Sequence, residues 1–454
     1  MNILITVVAF AFALGSLIVV HEFGHYLAAR LCNVKVLRFA VGFGRVIVSR
    51  RLGRDQTEWA IAAFPLGGYV KMLDEREGDV PPGDLLRAFN RQTVWRRFLI
   101  VVAGPVANFL LAIFLYWVIF MHGVPGVRPV IGAVTPDSPA AHAQFAVGDT
   151  IVKVGGEAVT TWQDARWLLL KYAVDRAGVG IEVQNERAEI HFRRLDMSAL
   201  KPADLDGDFL RVLGFARLQP PLPPVIGRVS AGGAADRAGM LAGDEIVAIG
   251  SETMQRWDQV VAAISTSAGR ELTLTVKRGA ATRQFQITPD AVVESAGRIG
   301  RIGVAVKVDP DSMRQYMVEV RYSPLISIGK ALERTWDTSL FSLRMLGKMM
   351  IGEVSLKNLS GPITIADYAG QSAQIGWISY LAFIALISIS LGVLNLLPIP
   401  LLDGGHLMYY MIEIVKGSPV STQVMEIGQN VGMALLFLLM AFALYNDITR
   451  LVNG

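Results

Sequence analysis

The chain has 454 residues, of which 52% are hydrophobic, with a formal net charge of +4. A charge this small and this scattered gives no footing for nucleic acid. Apolar residues gathered in blocks exclude a single water-soluble domain and point to an integral membrane protein with water-exposed modules. Cys32 is the only cysteine, so an intrachain disulfide is excluded and the residue reads as a small apolar filler.

Residues 1–30 read as a first transmembrane helix. No charged side chain occurs in residues 1–20, and no Lys or Arg precedes Arg30, so the basic start of a cleaved signal peptide is missing. The run continues directly into His21-Glu22-Phe23-Gly24-His25. On a helix, positions i and i+4 share a face, so His21 and His25 can grip one Zn²⁺ while Glu22 stands beside it as a general base. Ionisable groups inside a membrane helix are costly and mark functional sites. The bland alternative is an interfacial turn whose imidazoles and carboxylate meet lipid headgroups.

The stretch from Arg30 to Arg97 carries 13 Lys and Arg against 7 Asp and Glu, which assigns the loop at 31–96 to the cytoplasmic side. Both termini and the long insert after His122 then lie outside. With Arg30 at the interface, the metal would sit about 10 Å inside the cytoplasmic leaflet. Two β-like segments, 34–49 and 58–72, are broken at Gly42-Phe43-Gly44 and Gly67-Gly68-Tyr69 and read as hairpins. One reading has this apolar sheet dip into the membrane beside the metal and offer an edge to an extended peptide. The other is an ordinary surface hairpin.

A second span covers 97–120 and opens Gly104-Pro105-Val106-Ala107-Asn108, which permits close helix approach and a kink. Structural packing is the expected role of Asn108. The external insert then repeats: Val130-Ile131-Gly132 recurs as Val225-Ile226-Gly227, Gly148-Asp149 as Gly243-Asp244, and Trp162 as Trp257, each 95 residues on. Two copies of one domain follow, 125–220 and 221–307, joined by a Pro-rich linker at 218–224. They resemble circularly permuted PDZ domains, which bind peptides by strand addition; a steric gate is the other role open to them. Residues 323–350 have apolar side chains at three-to-four spacing with cations between. This is an amphipathic helix at the outer membrane boundary or one packed beneath the PDZ pair.

A third span, 377–397, is followed by a loop at 398–427 and a fourth span at 428–446. The third runs inward, so its end reaches the leaflet of His21 and His25. There Pro398 and Pro400 stop the helix and Asp403-Gly404-Gly405-His406 follows. A catalytic zinc needs a third protein ligand. Asp403 is the best candidate, with His406 the runner-up; a helix-capping role for Asp403 is the alternative.

The His-Glu-Phe-Gly-His motif, the Gly-Pro-x-x-Asn of the second span, the tandem PDZ pattern and Asn395-x-x-Pro398-x-x-x-x-Asp403-Gly404 together resemble the site-two protease family of intramembrane metalloproteases, over essentially the whole chain. The resemblance implies a polytopic α-helical membrane protein of four transmembrane helices, with a cytoplasmic-side membrane-reentrant β-hairpin region and two periplasmic PDZ domains. It implies Zn²⁺ on His21, His25 and Asp403, with Glu22 as catalytic base. Asn395 would bind substrate or steady the oxyanion, and Gly42-Phe43-Gly44 with Pro398 would face the substrate. Ser360-Gly361-Pro362 also fits the family pattern. Implied partners are the lipid bilayer and single-span membrane proteins already trimmed by a first protease, of the anti-sigma factor type, and remnant signal peptides. The implied location is the inner membrane of a Gram-negative bacterium. Two rivals remain: a catalytically silent scaffold collecting peptide tails on its PDZ domains, and a metal transporter, for which four spans without an evident repeat are poorly suited.

Overall fold

The computed structural model describes residues 3–453 apart from 202–203, 206–207, 219–221, 295–296, 310–313 and 356–358. The Pro-rich linker predicted at 218–224 therefore lies partly outside the described residues. The chain divides into two compact units, one built mainly from Met1–Val124 and Val320–Leu451, the other from Pro125–Leu200 and Asp208–Glu319.

In the first unit, four helices are long and apolar enough to cross a bilayer. They are α1 (Ile3–Leu31), α2 (Val94–His122), α5 (Trp377–Leu396) and α7 (Thr422–Asn453). Between them lie α3 (Pro324–Met350), α4 (Pro362–Ile375) and α6 (Asp403–Lys416). Helices α2 and α7 extend past the predicted span ends of 97–120 and 428–446.

The helices are joined as membrane helices usually are, by small residues and buried polar bonds. A side chain at Gly24 of α1 would strike Ala103 and Ala107 of α2, and one at Gly392 of α5 would strike the Phe109 ring. The Ser388 hydroxyl donates to the Asn108 carbonyl at 2.7 Å, and the Tyr380 hydroxyl to the Ala9 carbonyl at 2.6 Å. Leu17, Ala112, Ile119, Ala385 and Ile389 fill the centre. Asp447 of α7 accepts the backbone N–H groups of Gly361, Ile363 and Thr364, closing the first turn of α4 from another helix. That gives Gly361 of the Ser-Gly-Pro motif its physical reason: a Cβ there would meet the Asp447 carboxylate.

Helix α3 is amphipathic as expected, but in an inverted sense. Its buried side is small and weakly polar (Ser327, Ala331, Thr335, Thr338), while Leu325 and Trp336 are 83% and 65% exposed. The apolar stripe lies on the more exposed side of the helix.

Strands β1 (Val36–Leu52) and β2 (Thr57–Met72) fold on each other more tightly than two simple hairpins. Val36–Val41 pairs with Gly68–Met72, and Val46–Leu52 with Thr57–Ala62, while Arg38–Val41 also lies in register with Glu58–Ile61. Gly42 and Gly44, with φ of 93° and 88°, bend β1 between its two halves. Asp55 in the connecting turn receives Arg87 at 2.8 Å and Arg30 from the end of α1, which pins the sheet to that helix.

In the second unit the repeat is structural. Strand Ile131–Val134, a short helix at Pro139–His142, strand Thr150–Val154 and a helix from Trp162 recur as Ile226–Val229, Ala234–Arg237, Glu245–Ile249 and a helix from Trp257. Each copy has a four-stranded antiparallel sheet, and in each the first strand pairs with one that closes the copy, Phe215–Arg217 or Val304–Val306. The repeated Gly-Asp pair has a mechanical reason. Gly148 and Gly243 turn the backbone at φ of 92° and 93°, and the following carboxylate accepts the N–H of Ala146 or Leu241 at 2.9 Å.

In the second copy Asp244 is also clamped by Arg278 through two bonds of 2.7 Å. The guanidinium holds this carboxyl below its usual range. A lowered folded pKa means the stabilisation is complete above the unfolded value of about 3.9 and is lost as pH falls through the folded value. Arg278→Met should lower stability by about 2–3 kcal/mol at pH 7. In thermal melts of the full chain, the difference from wild type should persist down to about pH 4 and shrink below it.

Candidate metal centre

The helix at 3–31 places His21 and His25 one turn apart, both nearly buried, with their rings 4.8 Å apart edge to face. Room for the imidazoles comes from α2. A Cβ on Gly104 would lie 2.3 Å from His25 Nε2 and 2.9 Å from His21 Cε1. The Gly-Pro of the second span is therefore a cradle for the two rings as well as a packing device.

The third group arrives through a backbone reversal. After α5 ends, Gly404 and Gly405 pass so close to Leu397 and Ile399 that any Cβ would collide with their carbonyl oxygens. This tight fold-back sets Asp403 at the first turn of α6. Arg97 at the start of α2 holds the far end of α6 through Glu413 at 2.6 Å. Asp403 is the first residue of α6, and the N-cap position is taken by Leu402.

Asp403 Oδ2 lies 3.1 Å from His21 Nε2 and 3.5 Å from His25 Nε2, and the two nitrogens are 3.3 Å apart. With ligand bonds of about 2.05 Å, the edge of a tetrahedron is about 3.3 Å. All three separations fall around that length. The protons agree: His25 Nδ1–H donates to the Ile100 carbonyl at 2.8 Å, which leaves a lone pair on Nε2 of the neutral ring. Asp403 Oδ2 is buried and accepts no well-aligned hydrogen bond. The lone pairs of His25 Nε2 and Asp403 Oδ2, converging on one point beside His21 Nε2, fit a cation. Among the described residues this trio is the group of three or more His, Cys, Asp or Glu disposed to hold a metal. His406, the runner-up, is not part of it.

Glu22 is half-buried beside the trio, and β2 runs along it. A Cβ on Gly68 would come within 3.0 Å of Glu22 Cγ and Ile18, and the Val70 backbone hydrogen-bonds the Glu22 carboxylate. The segment nearest the base is thus Gly68–Val70. Gly42–Gly44 stands behind it: Phe43 stacks on Tyr69 at 6.4 Å and 9°, against Gly67. Gly67-Gly68 was visible in the sequence as a pair, but its approach to Glu22 was not. Asn395 is half-buried in the last turn of α5, and Pro398 is exposed just beyond it. Asn108, expected to serve packing, is fully buried with its amide 3.2 Å from His21 Nδ1.

The model of Peptidase family M50 matches residues 9–439. The chain belongs to peptidase family M50. Full-length relatives agree. The Regulator of sigma-E protease RseP of Salmonella typhimurium is 43% identical over 99% of this chain and 100% of its own length. The protein of the same name from Escherichia coli K12 is 41% identical over 98% of both chains. A Putative zinc metalloprotease of Vibrio cholerae is 42% identical over 99% of this chain and 100% of its own. Among solved structures, the PDZ domain of an SdrC-like protein from Listeria monocytogenes covers 22% of this chain and 96% of that one, at 19% identity and a TM-score of 0.17. The chain is accordingly a site-two-type zinc metalloprotease with several membrane helices, and the scaffold and transporter readings give way to it.

Gly104→Ala tests the cradle. In a helix the change ordinarily gains about 1 kcal/mol. Here the methyl would displace the imidazoles, and zinc retained by the purified full-length protein after a chelator wash should correspond to at least tenfold weaker binding, measured by elemental analysis.

Proposed function

We propose that His21, His25 and Asp403 hold Zn²⁺, that Glu22 is the catalytic base, and that the reaction is hydrolysis of peptide bonds within transmembrane segments. The observation that carries this reading is the near-tetrahedral spacing of three lone-pair donors, with a carboxylate one residue along the helix from the first of them. When bound, zinc would supply a Lewis acid that lowers the pKa of a water toward about 7 and polarises a carbonyl. Glu22 would take a proton from the attacking water and hand it to the departing amine nitrogen. The Asn395 amide, at the end of α5, donates to the oxygen that gains charge.

A helical substrate hides its amides in its own hydrogen bonds and must unwind to be cut. The edge of β2 at Gly68–Val70, which lies along Glu22 and has no side chain at position 68, suits pairing with an extended stretch. Gly42-Phe43-Gly44 supports that edge from behind, and Pro398 leaves backbone free at the other side of the site. An apolar cleft of 780 Å³ lined by Phe109, Ile113, Trp336, Leu343, Val393 and Leu396 opens beside the end of α5 and offers room for an apolar segment. The outward apolar stripe of α3 suits lipid contact.

The substrates are single-span membrane proteins trimmed beforehand, of the anti-sigma factor type, together with remnant signal peptides. Relatives named for regulation of sigma-E support this class. The 31–96 stretch lies on the cytoplasmic side of the inner membrane, and both termini and the repeated modules at 125–220 and 221–307 lie in the periplasm. The charge balance of 31–96 supports that orientation. The modules act on substrate tails, as readers or as a size filter.

The test is co-expression with a tagged single-span substrate. Glu22→Gln should reduce cleavage by about 10²–10⁴-fold while zinc content stays at wild-type level. Undiminished cleavage by that variant would overturn the assignment of the base.

A further inference from the structure

His21 and His25 are held from behind in different ways, and the difference exposes a task for Asn108. His25 Nδ1–H is committed to a backbone carbonyl, that of Ile100. His21 Nδ1 faces a side chain instead, the Asn108 amide at 3.2 Å. With Nδ2 toward the ring, the amide donates to Nδ1, and the imidazole proton must sit on Nε2, pointing into the space shared with Asp403 Oδ2. A metal on Nε2 demands the other tautomer, with the proton on Nδ1 and an acceptor beyond it.

Asn108 can supply that acceptor. Its Oδ1 is buried and has no hydrogen-bond partner. A half-turn of the amide exchanges Oδ1 and Nδ2 without changing the volume they fill, and no bond at Oδ1 is lost by it. The residue is fully buried, and the Ser388 hydroxyl fixes its backbone carbonyl at 2.7 Å, so the side chain stays aimed at His21 in either orientation.

We infer that Asn108 is a positioning residue for the metal centre: by turning its amide it accepts the Nδ1–H of His21 and so presents the Nε2 lone pair to the ion. The inference rests on the zinc reading above. It makes the second span a working part of the site, with Gly104 giving the rings their space and Asn108, one turn on, setting the tautomer of the first ligand. A pure packing role would need only a side chain of the right size. The tautomer role needs an acceptor.

The experiment compares zinc affinity by chelator competition, and the visible spectrum with Co²⁺ in place of zinc, for purified full-length wild type, Asn108→Leu and Asn108→Asp. Leu matches Asn in size and cannot accept; Asp only accepts. The Leu variant should bind zinc about 10–100-fold more weakly with an altered cobalt spectrum. The Asp variant should stay within about threefold of wild type. Wild-type affinity in Asn108→Leu, or equal loss in both variants, would overturn the inference. Should the Leu variant fail to fold, Asn108→Ala takes its place: tenfold weaker zinc binding in Ala with Asp near wild type upholds the inference, and Ala equal to wild type, or Asp as weak as Ala, overturns it. If wild type itself takes up no zinc, the metal-centre reading falls and the inference with it; if wild type binds zinc and the variants contradict, the inference alone falls.

Discussion

The architecture depends on how closely α1 and α2 approach. The three proposed ligands and a carboxylate must be kept among apolar helices, where an unpaired polar group is costly. Gly24 lets the two helices meet backbone to side chain, and Gly104 clears the space that the imidazoles fill. Helix packing and site geometry are therefore one constraint. The same contact brings the Ile100 carbonyl to His25 and the Asn108 amide to His21, so the groups behind each ring come from the helix that also makes room for it.

The third member of the trio obeys a different logic. Asp403 is far from the histidines in sequence, and it reaches them because the chain reverses sharply at the end of α5. Gly404 and Gly405 permit the reversal, and the Arg97–Glu413 pair steadies the far end of α6 against α2. A site assembled from one rigid helix and one tight reversal is held from both ends. The β2 strand completes it by laying backbone, with no side chain at position 68, along Glu22.

Much of this could be read from the residues alone, and the reason is locality. The i, i+4 rule places two imidazoles on one face from sequence spacing only. The spans follow from runs of apolar residues, and the duplicated module from a fixed offset. Asp403 was accessible because prolines mark where α5 must stop. What escaped depends on contacts between distant segments. The glycine pair that meets Glu22 is set by strand register, and a short shift changes which residue faces the helix. The partnership of Asn108 with His21 depends on the rotation of α2 about its axis, which periodicity does not fix among uniformly apolar faces. For α3 the pattern gave the amphipathic stripe but not its direction, because an apolar face turns inward in water and outward in lipid.

The central claim is that a zinc ion is bound by two imidazoles of the first helix and one carboxylate from the reversal after α5. Zinc-edge X-ray absorption on the purified full-length chain addresses it directly. The account predicts stoichiometric zinc with nitrogen and oxygen neighbours at about 2.0–2.2 Å and outer-shell scattering from two imidazoles, with the metal largely lost in Asp403→Ala. Scattering from three imidazoles, or full zinc occupancy with an unchanged spectrum in Asp403→Ala, would contradict it.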